Sequence, residues 1–149
     1  MTESEQVKKA LAKLAKNSKA QGSARFFKTG PGQYSEGDLF IDVSVPAQRK
    51  VAREFKNLEL EEISKLLASS IHEHRATGLM ILVEQFKAAG EETKKKLLKY
   101  YLSKSAAVNN WDLVDMTAAN IVGAWLVISK DFDLLDKLAA SKNMWQQRI

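Results

Sequence analysis

Residues 70–89 read SIHEHRATGLMILVEQFKAA. Apolar positions recur here around most of a helical circumference, and a helix with no continuous polar face belongs at the centre of a helical domain. Gly90 stops it. Working outward, the period stays helical on both sides. Upstream, Leu60, Ile63, Leu66 and Leu67 predict a helix over 59–68, and Pro46 sits in the first turn of another that continues through Val51 and Phe55. Downstream, Leu97, Leu98, Tyr101 and Leu102 form the inner stripe of a helix with Lys95, Lys96 and Lys99 opposite. Its first turn holds Glu91 and Glu92, where acidic groups suit the helix dipole. A helix opening at Asn109 and Asn110 carries Val114, Ile121 and Trp125 on its core stripe, residues 131–140 form another, and Asn143 caps a last one.

The N-terminal Thr2-Glu3-Ser4-Glu5 is a capping box, followed by Val7, Leu11 and Leu14 at helical spacing, which predicts an amphipathic helix over residues 1–20. Lys9, Lys13 and Lys16 repeat on its opposite face. Residues 21–45 form a Gly-rich connection in which only Leu39 to Val45 has strand character. The class is all-α. Helix pairs beginning near residues 46, 70, 110 and 143 fit HEAT-like repeats, so 46–149 is expected to be a stretch of α-α superhelical solenoid. The chain is thus expected to form a single helical-repeat domain over 1–149. Because it stops a few residues into a helix, it is expected to be truncated at the C-terminus, the first part of a longer protein.

At 149 residues the chain can bury a core without covalent staples. With no cysteine there is no disulfide framework, thiolate metal site or cysteine nucleophile. The apolar run Gly78 to Val83 is too short to cross a bilayer, and the N-terminus lacks a signal-peptide core, so a cytoplasmic protein without a membrane partner is expected. Net charge is +5. Residues 1–28 hold seven basic groups (Lys8, Lys9, Lys13, Lys16, Lys19, Arg25 and Lys28) against Glu3 and Glu5, which accounts for the whole excess. Such confinement points to a local polyanion contact.

His72 and His74 lie two apart, on roughly opposite sides of a helix, and cannot chelate one metal together; a structural role is favoured for both. Arg75, on an apolar side, calls for a carboxylate partner, expected on a neighbouring helix. Lys28-Thr29-Gly30-Pro31-Gly32-Gln33-Tyr34 has the glycines of a phosphate cradle but not the Walker spacing, and an ordered surface connection is favoured. The informative group is Asn109-Asn110-Trp111-Asp112-Leu113-Val114-Asp115. Trp111 and Asp115 share a face at i, i+4, together with Ala118, Ala119 and Val122. Asp112 reads as a first-turn carboxylate serving the helix dipole; Asp115 has no such duty. On pattern alone a solvated or ion-paired Asp115 stands slightly ahead of a catalytic one.

Several stretches together resemble the AlkD-type alkylpurine DNA glycosylases, the HEAT-like-repeat DNA alkylation repair proteins. They are residues 26–34 with Gly37-Asp38-Leu39-Phe40, then Val45-Pro46, then His72-Glu73-His74-Arg75 leading into 79–86, then Asn110 to Asp115, and finally Trp145-Gln146-Gln147-Arg148. The resemblance implies a DNA repair enzyme, a monomer without metal or cofactor, acting on double-stranded DNA that contains cationic 3- or 7-alkylated purines. It implies Asp115 as the catalytic carboxylate, Trp111 as an aromatic beside the lesion and Arg148 as a DNA contact. Ser44 falls at a lesion-facing polar position by the same likeness. The basic residues Lys9, Lys13, Lys16, Arg25 and Lys28 are the candidates for attracting DNA. The alternative is a non-catalytic helical-repeat module that binds DNA or protein.

Overall fold

A computed structural model describes residues 1–15 and 27–149. Their regular structure is helical: α1 (Glu3–Leu14), α2 (Val45–Glu54), α3 (Leu60–Leu67), α4 (His72–Ala88), α5 (Glu91–Ser103), α6 (Trp111–Ala118), a π-helical segment Ala119–Gly123, α7 (Ala124–Ser129), α8 (Asp133–Ala139) and α9 (Met144–Arg148), with one 3-10 turn at Ser105–Ala107. The strand character at Leu39 amounts to one isolated bridge to Ile71. The chain divides within α4 into two compact units, Met1–Glu84 and Gln85–Ile149.

In the first unit, both arms of the capping box form at Thr2 and Glu5, and Val7 and Leu11 are fully buried. The apolar row ends there, since Leu14 is 46% exposed; residues 16–20 of the expected helix lie outside the described residues. The Ser4 amide donates to a Glu62 carboxylate oxygen at 2.8 Å, tying α1 to α3. Hydrogen bonds from Lys65 and then from Ser4 hold the Glu62 carboxyl down at about 2. At Gly78 of α4 an added Cβ would meet Leu66 Cβ at 3.1 Å, so this glycine lets α3 and α4 approach closely.

Residues 72–83 of α4 are buried without interruption, from Ala76 to Val83 as apolarity all round the helix predicts. The polar quartet that opens it fastens the preceding connection. The His72 ring lies against Phe40 and Phe27, with centroids 5.0 and 4.9 Å away. Glu73, 2% exposed, accepts the Ile41 and Asp42 amides at 3.1 and 2.9 Å. Asp42 occupies the left-handed region at φ 59°. His74 Nδ1 lies 2.9 Å from the Ser69 hydroxyl, whose oxygen accepts the Ile71 amide at 3.1 Å. Burial, seconded by the charge of Lys8, lowers the His74 pKa to about 4. The ring is therefore neutral at pH 7. Arg75 is paired as expected, but its carboxylate, Asp38 at 2.8 Å, belongs to the connection and not to a neighbouring helix.

In the second unit Leu97, Leu98 and Tyr101 carry the inner stripe of α5. Gly90, expected to stop α4, is the N-cap of α5, which begins one residue later. The continuous run Trp111–Ser129 has the length and hydropathy of a membrane-crossing helix. Leu113, Val114, Ile121, Val122 and Trp125 of this run are buried and pack the second unit, whereas Val127 and Ile128 are exposed. Lys130, in the left-handed region at φ 56°, ends α7.

Candidate functional site

The second unit holds Trp111, Asp115 and Arg148. Buried Asn110 caps α6, its side-chain oxygen accepting the Trp111 amide at 2.8 Å. Asp112 spends one oxygen on the Leu113 amide, also at 2.8 Å, so the first-turn reading of this carboxylate holds. One turn on, Asp115 is exposed and makes no hydrogen bond or ion pair with any described residue. Trp111, 39% exposed, stands on the same face at i−4. Of two carboxylates three residues apart, one serves the helix end and the other is left to solvent.

Two features fix this face. Thr117 donates from its hydroxyl to the Leu113 carbonyl at 2.6 Å, so its contact with the Tyr101 hydroxyl, at 2.8 Å, has the tyrosine as donor and joins α6 to α5. Burial pushes the Tyr101 pKa up to about 12, and the phenol stays protonated. The second is the π-helical segment. Asn120 donates to the Met116 carbonyl at 2.8 Å, and the Ala124 amide reaches back five residues to Ala119. This re-phases the helix after Ala118. Val122, expected on the Trp111–Asp115 face, is turned into the core and is 1% exposed, while Ala118 is half-buried and Ala119 exposed beside Asp115's turn.

At the chain's end, the Asn143 side chain accepts the Trp145 and Gln146 amides at 2.8 and 3.3 Å and caps α9, which packs on α6. Gln146 donates to the Ser105 hydroxyl at 2.7 Å, and Trp145 is buried. The exposed Arg148 guanidinium lies 5.8 Å from the Trp145 ring centroid, a cation–π distance, and forms no ion pair with Asp115.

The remaining candidates belong to the first unit. Ser44 is the exposed N-cap of α2, yet its hydroxyl makes no capping bond. Lys9 and Lys13 are exposed on α1, and Lys28 is exposed where the connection begins; Lys16 and Arg25 lie outside the described residues. The glycine segment fills its own amides: Gly30 donates to Gln33 and Gly32 to Glu36, at 2.9 and 2.7 Å, as an ordered surface connection should. Among the described residues no three His, Cys, Asp or Glu side chains are grouped to hold a metal ion.

Glu73 and the π-helical segment have no local signature in the sequence. An acidic first-turn residue reads as a dipole partner, and nothing local distinguishes Glu73, whose partners lie 31 and 32 residues upstream. Comparison with known proteins gives a match to the family model described as "DNA alkylation repair enzyme" over residues 7–149. No curated protein and no solved structure matches the chain.

Proposed function

Because the chain belongs to the DNA alkylation repair enzyme family, we propose that it is an AlkD-type DNA glycosylase that hydrolyses the N-glycosidic bond of 3- or 7-alkylated purines in double-stranded DNA. The observation that carries this reading is the uncommitted Asp115 carboxylate, exposed one helical turn from an exposed Trp111.

Alkylation at ring position 3 or 7 leaves the purine cationic. Breaking the bond from sugar C1′ to the base returns the electron pair to the ring, and the base departs neutral without a general acid, unlike ordinary glycoside hydrolysis with its two carboxylates. One anion then suffices. Asp115 stabilises the positive charge developing on the sugar and orients the water whose oxygen bonds to C1′, while the water's proton passes to solvent. Trp111 offers its π face to the cationic nucleotide. No metal or cofactor is required by this chemistry.

In this reading Arg148 contacts DNA near the lesion and Ser44 supplies a polar lesion-facing group. Lys9, Lys13, Lys16, Arg25 and Lys28 attract the phosphate backbone. The helix pairs act as HEAT-like repeats, and the protein works as a cytoplasmic monomer. The test is release of 7-methylguanine from methylated duplex. Asp115→Asn is expected to lower it by about 10²–10³-fold, the size of losing one preorganised electrostatic group, with duplex affinity unchanged. Equal release by the variant overturns the proposal.

A further inference from the structure

Between α1 and α2 lies a cleft of about 450 Å³. Lys9 and Lys13 reach it from α1 and Lys50 from α2, with Ala10, Leu14 and Val51 among its apolar lining and Glu54 as its acidic member. The three lysines are exposed, and none makes an ion pair or hydrogen bond with a described residue. Lys65, in the same unit, shows the contrast, since Glu61 and Glu62 take up its charge. Lys9 and Lys13 are one turn apart on one wall, and Lys50 stands 37 residues further along the chain on the other. Cations thus face the same space from two elements. Like charges gathered over low-dielectric walls focus the field into a cleft and raise the local concentration of an anion.

We infer that this cleft is a phosphate-binding clamp for the DNA backbone, with Lys50 as a member the N-terminal charge excess does not reveal and Glu54 as a brake on affinity. The inference rests on the DNA reading above and assigns it a place. A phosphodiester offers one charge per residue, which suits lysines spaced by a helical turn. The single acidic neighbour opposes tight binding and suits a contact that must release.

The test is fluorescence anisotropy of the 149-residue chain with an unmodified duplex across a salt series. Lys50→Gln is expected to weaken binding about fivefold near 0.1 M salt and to reduce the log–log salt slope by about one, as Lys9→Gln and Lys13→Gln also should. Glu54→Gln is expected to tighten binding, a gain that damage to the fold cannot produce. An unchanged slope for Lys50→Gln, or no gain from Glu54→Gln, overturns the clamp. So does pyrophosphate that perturbs the amide resonances of the cleft while duplex leaves them unmoved, since the cleft then takes a small free anion. An acidic peptide that perturbs them in place of duplex overturns it likewise. Base release scored in parallel separates the two proposals: Asp115-dependent release with an unaltered Lys50→Gln slope sinks only the clamp. Equal release by Asp115→Asn, with the slope changes present, sinks only the glycosylase.

Discussion

Acidification should weaken the first unit through His74 by an amount the structure sets. Its ring is buried and hydrogen-bonded to Ser69, and its pKa is lowered from 6.5 to about 4. The unfolded chain therefore binds a proton near pH 6.5 that the folded chain refuses until near pH 4, so stability falls as pH drops through this window and levels off below it. A difference of 2.5 units at 1.36 kcal/mol each sets a ceiling of about 3 kcal/mol, of which about 2 kcal/mol is lost by pH 5. The assay is urea denaturation of the native chain and of His74→Asn, whose side-chain amide can still hydrogen-bond Ser69 but does not titrate. Subtracting the two pH profiles removes the carboxylates common to both. The difference should change by about 2 kcal/mol between pH 7.5 and pH 5, the native chain losing more. An NMR titration of the His74 ring should place its midpoint near 4. Parallel denaturation profiles, or a midpoint near 6.5, would refute the argument from burial.

Glu73→Ala removes the acceptor of two half-buried amide bonds and should cost about 2 kcal/mol, with Glu73→Gln intermediate because one acceptor oxygen survives. Hydrogen exchange at the Ile41 and Asp42 amides reads the same event locally, and should accelerate in the alanine variant well before global unfolding. Asn143→Ala deletes the α9 cap and should cost about 1 kcal/mol in thermal denaturation; an unchanged melting temperature would mean that α9 holds by the packing of Trp145 alone.

Helix starts were the most legible part of this fold. The capping box at Thr2, Pro46 in the first turn of α2, and the side chains of Asn110 and Asn143 all act within a few residues of themselves, so a short window of sequence contains both partners. Arg75 marks the limit of that logic. Its need for a carboxylate was readable, because a buried lone guanidinium is costly, but Asp38 lies 37 residues away and no periodicity points to it. At the candidate site, the division of labour between Asp112 and Asp115 followed from position in the turn and is what the hydrogen bonds show. Val122 leaves the face that a constant 3.6-residue spacing gives it because bonding across Ala119–Gly123 runs to the fifth residue.

That π-helical segment places a constraint on residue count more than on residue identity. Trp111 and Asp115 lie before it, and Ile121, Val122 and Trp125 continue the core within it and after it. The run from 111 to 129 thus holds one residue more than an unbroken α-helix would need to connect the two. Exchanging exposed Ala119 for another helix former should be tolerated, whereas deleting it would close the segment into ordinary α-helix and swing one half about 100° against the other. Either Trp125 would leave the core or Asp115 would leave the surface. Across related chains this stretch should vary in side chain and hold fast in length, and a one-residue gap there would mark a protein that has lost the alignment of its carboxylate with its core.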